Sequence, residues 1–216
     1  MKIFMKSLKE YITEGLLAEG LLDRVKDKEV NHEVIVRDFL EDNYKFDGPY
    51  TIKTTNKGFV VDVKGSVVVM NKSITSLTNG LFEFGEVSGC FYCCMCKSLR
   101  TLEGSPKKCH TFNCTDCDSL TSLEGSPKNC SIFDCGNCEN LTSLKGAPNT
   151  IYSFSVNNTS IKDFKDAPKK INGNVFCMCC KNLESLEGLK SVRGTIFARL
   201  CSNLKDYAGF EDQCNH

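Results

Sequence analysis

Phe112-Asn-Cys114-Thr-Asp-Cys117-Asp-Ser-Leu120-Thr-Ser-Leu123-Glu-Gly125-Ser-Pro127 recurs 21 residues later as Phe133-Asp-Cys135-Gly-Asn-Cys138-Glu-Asn-Leu141-Thr-Ser-Leu144-Lys-Gly146-Ala-Pro148. The same order precedes both copies as Phe91, Cys93, Cys96, Leu99, Leu102, Gly104 and Pro106. A fourth copy, Phe154, Val156, Thr159, Ile161, Phe164 and Pro168, is one residue shorter. A fifth runs Val175, Cys177, Cys180, Leu183, Leu186 and Gly188, and a sixth Ile196, Ala198, Cys201, Leu204, Tyr207 and Gly209. Val67, Val69, Ile74 and Leu77 form a degenerate first copy. Seven copies of so short a unit predict a solenoid, because one unit can bury its apolar side only against its neighbours.

Stacking explains the residue types. Parallel coils about 4.7–4.9 Å apart turn each repeated slot into a column. Phe91, Phe112, Phe133, Phe154, Val175 and Ile196 form one, and Leu99, Leu120, Leu141, Ile161, Leu183 and Leu204 another. Gly104, Gly125, Gly146, Gly188 and Gly209 share a slot whose backbone is expected to take positive φ.

Cys130-x-x-Phe133-x-Cys135-x-x-Cys138, followed by Leu141, Leu144 and Pro148, resembles the short leucine-rich repeats of bacterial effector proteins. The resemblance covers about residues 65–210 and implies a right-handed coil with a concave parallel sheet and extended or 3₁₀ convex turns. Cysteine stands here where those repeats usually carry an aliphatic residue and an asparagine.

The remaining chain reads as a cap. Leu8, Ile12, Leu16, Leu17, Leu21 and Val25 have helical spacing, predicting an amphipathic helix over 5–27. A second helix should run from Asn31, as N-cap, to about Asn43 with Ile35, Phe39 and Leu40 inward. After the Asp47-Gly48-Pro49 turn, Tyr50–Lys53 and Phe59–Val63 alternate as strands joined by Asn56-Lys57-Gly58, a hairpin. The expected fold class is thus an α+β solenoid: a helical cap and hairpin over 1–64, repeats over 65–210, and a short tail over 211–216.

The chain holds 15 cysteines among 216 residues. Cys114-x-x-Cys117 and Cys135-x-x-Cys138 have the spacing of a four-cysteine zinc site, and disulfides are a further alternative. The columns argue otherwise. One slot reads Cys93, Cys114, Cys135, Val156, Cys177, Ala198, and the next Cys96, Cys117, Cys138, Thr159, Cys180, Cys201. Val and Ala cannot be ligands, so both columns read as buried thiols filling a core, with no metal and no cofactor. No secretory leader is visible, because Lys6, Lys9, Glu10 and Glu14 break every apolar run. A reducing cytoplasm is the expected compartment.

Lys plus Arg and Asp plus Glu number 27 each, which disfavours a nucleic-acid binder, and no stretch is long and apolar enough for a membrane span. No nucleophile, metal-protease or phosphate-loop motif occurs, and Cys109 and His110, being adjacent, should face opposite ways. The chain is therefore expected not to be an enzyme; a zinc or redox protein with cysteine chemistry is the alternative. Outward residues between the inward columns offer a binding face: Tyr92, Asn113, Asp134, Ser155, Phe176, Phe197 in one row, and Cys94, Thr115, Gly136, Asn157, Met178, Arg199 in the next. Tyr92, Phe176, Met178, Phe197 and Arg199 are the candidate site on the concave face, for a protein partner. A one-residue shift at 196–200 would instead bury Phe197. Lys107, Lys108, Lys128, Lys169, Lys170 and Lys190 should form a basic edge. The last coil lacks a capping helix, so the strand edge near Ile196–Cys201 is expected to be open, to a partner or to a homodimer.

Met5-Lys-Ser-Leu-Lys-Glu-Tyr-Ile-Thr-Glu14-Gly resembles the head-targeting peptides of internal proteins in some tailed phages. Ile12-Thr-Glu14 and Leu17-Ala-Glu19 look like their maturation-protease sites, and Leu81-Phe-Glu83 matches the same short pattern by chance. The resemblance implies a phage-encoded protein acting in the host cytoplasm on a host protein, or a component packaged in the particle.

Overall fold

Phe91, Phe112, Phe133 and Phe154 are too large and apolar to stay in water, and each occupies the middle of a three-residue strand, where the pleat turns it inward. In the computed structural model, which describes residues 31–215, these strands stack in register. The parallel ladder comprises β4 (Ser66–Val69), β6 (Cys90–Tyr92), β7 (Thr111–Asn113), β8 (Ile132–Asp134), β10 (Ser153–Ser155), β12 (Val175–Phe176) and β13 (Ile196–Phe197). Val67, Phe91, Phe112, Phe133, Phe154, Val175 and Ile196 are partners along it, as the repeat alignment requires. Successive rings stack, with Phe91 and Phe112 at 5.5 Å and Phe112 and Phe133 at 5.3 Å between centroids. The molecule is a β-solenoid.

Each coil turns through the remaining columns. The two cysteine columns and the Leu99 and Leu102 columns are buried in the central coils. A further inward column, formed by Val87, Cys109, Cys130, Ile151, Ile171 and Val192, lines the return edge, where β9 (Thr150–Ile151) and β11 (Lys170–Ile171) pair in parallel. The repeat reading placed Cys109 and Cys130 outside the two cysteine columns without giving them this role.

The turns need left-handed backbone at two slots per coil. The expected one holds Gly104, Gly125, Gly146, Gly188 and Gly209 at φ between +83° and +107°, and in the shorter fourth coil Asp166 takes it at +63°. At Gly125 a Cβ would also lie 2.3 Å from the Glu103 nitrogen of the coil below. The second slot holds no glycine: Met95, Asp116, Asn137, Asn158, Cys179 and Leu200 have φ from +51° to +63°.

The cap follows from its local signals. Asn31 Oδ1 accepts the Glu33 amide at 3.0 Å and starts α1 (His32–Asn43), which buries Ile35, Val36 and Leu40 and packs Phe39 against Phe82. β2 (Tyr50–Thr55) and β3 (Gly58–Val63) form the expected antiparallel hairpin. Two strands were not anticipated. β1 (Tyr44–Asp47) runs antiparallel to β4 and covers the first edge of the long sheet, and β5 (Phe82–Val87) adds in parallel to β3. Tyr44 ties the cap to the first coil, its hydroxyl donating to the Leu77 carbonyl at 2.6 Å. The helix expected over 5–27 and the segment with phage-like character lie outside the described residues.

The last coil corrects the expectation of an open edge near Ile196–Cys201. A 3₁₀ turn at Glu211–Gln213 returns the chain to β14 (Cys214–Asn215), which pairs in parallel with β13 through Ile196–Cys214 and Phe197–Asn215. The Ala198 amide donates to the Asn215 carbonyl at 3.0 Å. Too few residues remained for a capping helix, but two suffice for a strand, and that strand occupies the edge to which a second copy would have added.

Candidate binding face

The strand period that turns the phenylalanine column inward turns its flanking residues outward. The register pairs Tyr92 with Asn113 and Asp134, and Ser155 with Phe176 and Phe197, so the first proposed outward row is one continuous row. Phe197 is half-buried beside buried Ile196 and Ala198, which excludes the shifted alignment. A further outward row, not singled out from the sequence, runs Cys90, Thr111, Ile132, Ser153 on the opposite flank.

Four of the five candidate residues come together. Phe176 and Phe197 stack with centroids 5.0 Å apart and planes 5° from parallel. Met178 and Arg199 line a shallow cleft of about 610 Å³ on the same face, together with Asn137, Asn157, Asn158 and Leu200. Asn157 organises its floor: its Oδ1 accepts the Met178 amide at 2.7 Å. The Arg199 Nε donates to Asn215 Oδ1 at 3.3 Å, so the short C-terminal strand also positions this guanidinium. Tyr92 is not part of the cluster. It stands four strands away along the sheet, where a side-chain hydrogen bond with Cys90 raises its phenol above the ordinary range.

Leu200 was missed. It belongs to neither outward row, yet it is 78% exposed at the mouth of the cleft, in the left-handed slot that Asn137 and Asn158 occupy in earlier coils. The slot mixes Met95 and Cys179 with Asp116, Asn137 and Asn158, so the alignment did not mark Leu200 as unusual.

The thiols form core. All 15 cysteines are free. Their two columns differ in chemistry. Second-column side chains donate to main-chain carbonyls: Cys117 to Cys93 at 3.1 Å, Cys138 to Cys114 at 3.2 Å, Cys180 to Val156 at 3.1 Å and Cys201 to Cys177 at 2.9 Å. Where cysteine is absent the slot still holds a donor, which bonds a carbonyl of its own coil instead of the preceding one. Thr159 donates to the Val156 carbonyl at 2.8 Å, and in the first coil Lys72 donates to Val69 at 2.6 Å. In the first column Cys93 and Cys135 also donate, to the Asn113 and Ser155 carbonyls at 3.5 and 3.3 Å, but those carbonyls already accept the Cys93 and Cys135 amides, and the slot accepts Val69, Val156 and Ala198, so it needs only volume. A donating thiol carries its proton, whereas a metal ligand or nucleophile is a thiolate. Burial pushes Cys93, Cys114 and Cys135 well upward and Cys130 up to about 12, in the same sense, whereas the side-chain hydrogen bond with Cys114 draws Cys138 down. Among the described residues no three His, Cys, Asp or Glu side chains converge on a site of metal dimensions.

Cys109 faces the core while His110 faces solvent, so the adjacent pair makes no dyad. The lysine edge is partly neutralised, because Lys107 pairs with Glu83 and Lys108 with Glu86 at 3.5 Å. No helix of the described residues is long and apolar enough to cross a membrane. Comparison of the chain with protein-family models, curated proteins and solved structures finds no match.

Proposed function

We propose that this protein is a non-catalytic repeat module that binds another protein through the outer face of its long parallel sheet. The observation that carries the reading is the Phe176–Phe197 stack, two large aromatic rings on the solvent side of the sheet beside Met178 and Arg199. Aromatic and Arg side chains gathered on a rigid face have the composition of interface hot spots. Rigidity comes from the coils below, so little order has to be gained on binding. In this reading the coils are right-handed and leucine-rich-repeat-like, the face is their concave side, and the module works in a reducing cytoplasm, as its protonated core thiols favour. The partner in mind is a host protein, with the chain acting as a phage or bacterial effector.

Phe197→Asp tests this. The side chain contributes to the outer face and not to the buried column, so the variant should melt within a few degrees of the parent. It should lose the protein that the parent retains in a cross-linking capture from its own host's extract. Equal capture by both, or a steep fall in melting temperature, would count against the face.

A further inference from the structure

Leu200 sets the problem. In the central coils its left-handed slot is filled by Asp116, Asn137 and Asn158, residues whose short polar side chains tolerate positive φ. Met95 and Cys179 hold the slot in two other coils, Met95 with 55% of its surface exposed, and in the last coil it carries Leu200, held at +63° and 78% exposed; of these two exposed apolar side chains only Leu200 stands at the cleft mouth. Backbone strain and exposed apolar surface both oppose folding, and Asn would relieve both. The same cleft mouth holds Arg199, whose Nε donates to the neutral amide of Asn215. None of the cleft's lining residues is acidic. The acidic side chain of the outward rows, Asp134, and that of the left-handed slot, Asp116, belong to earlier coils.

Resting on the binding reading above, we infer that the face takes an acidic–apolar segment of a partner protein, with an apolar side chain packed on Leu200 and the Phe176–Phe197 stack and a carboxylate paired with Arg199. Charge selects the segment's chemistry: a guanidinium that forms no ion pair among the described residues, at the edge of an apolar patch, is complementary to a carboxylate and can hold it bidentate. Size selects a segment over a second copy. The apolar residues occupy the last two coils, about 5 Å apart, whereas a stable dimer buries about 800 Å² on each partner.

Selection from a random-peptide display library on the immobilised full chain tests this, with Leu200→Asn, Arg199→Glu and Phe197→Asp as parallel targets. Peptides enriched on the parent should combine Asp or Glu with Leu, Phe or Tyr. Leu200→Asn should retain them about tenfold less well while melting at or above the parent temperature. Arg199→Glu should lose them and enrich Lys- or Arg-containing peptides instead. Enriched peptides without acidic residues, or held equally by Arg199→Glu, overturn the carboxylate. Equal retention by Leu200→Asn overturns the anchor. No enrichment on the parent overturns the segment. Full retention by Phe197→Asp overturns the underlying reading of the face, an outcome separate from the other three.

Discussion

A cysteine donates a weak hydrogen bond from a small apolar body, and the second column uses both properties. A carbonyl at the coil corner points inward with no water to satisfy it, and the thiol of the next coil reaches it; leaving such a group unpaired costs about 1–3 kcal/mol. The slot therefore selects for a donor: Cys117, Cys138, Cys180 and Cys201 bond a carbonyl of the preceding coil, and Lys72, Cys96 and Thr159 one of their own. The first column selects for volume alone. The two should respond oppositely to substitution. Cys114→Val should be tolerated within about 1.5 kcal/mol, as a volume-conserving exchange. Cys117→Val should cost more than Cys117→Ser, because only serine keeps the donor. Urea midpoints of the three variants check this, and valine and serine behaving alike at position 117 would remove the donor rule.

At the scale of elements, much was legible because the repeat states its own alignment. Any coil checks the others, so the phenylalanine register, the glycine turns and the inward burial of Leu141 followed from the sequence. The hairpin and the helix from Asn31 carried their own turn and cap signals. What was not legible lacked a repeat. β1 and β14 are short edge strands whose residues, Tyr44–Asp47 and Cys214–Asn215, become strands only because a neighbouring edge offers hydrogen bonds. The left-handed slot at Met95 and Leu200 was hidden because its occupants do not announce positive φ. The grouping of Phe176, Met178, Phe197 and Arg199 was legible, since period-2 alternation and the 21-residue repeat fix it; the separation of Tyr92 from them needed the count of intervening strands. The covering role of β14 is testable. Deleting residues 211–216 should lower stability by roughly 1–3 kcal/mol, the worth of a few hydrogen bonds, and should produce concentration-dependent self-association, as an opened edge does. Light scattering and a melting curve read both, and an unchanged monomer of unchanged stability would mean that β14 does not protect the sheet.

For the whole molecule, one core cluster runs from Ile35 and Leu40 of the helix through the coils to Ile196 and Ala198. Its thiols tie stability to pH. An unfolded cysteine ionises near pH 8.5, while burial holds Cys93, Cys114, Cys130 and Cys135 above that in the folded state. A folded pKa that is raised means stability fully present below about pH 8.5 and lost as pH rises toward the folded values. The slope is roughly 1.4 kcal/mol per pH unit for each thiol that ionises only on unfolding. Urea midpoints should be flat from pH 6 to 8 and fall steeply above 9, less steeply in a Cys114→Val, Cys135→Val double variant; a flat profile to pH 10.5 would contradict the buried ladder. The most direct measurement is site-resolved thiol alkylation by mass spectrometry, without reductant or chelator, across a urea titration. Half-buried Cys90, Cys94 and Cys179 should label in the native protein. Cys93, Cys114, Cys117, Cys135, Cys138, Cys177 and Cys180 should stay protected and then label together in the unfolding transition. Native labelling of Cys114 and Cys135, or their failure to label once the protein is unfolded, would contradict the account, the first by placing them outside the core and the second by showing them held in a disulfide or a metal site.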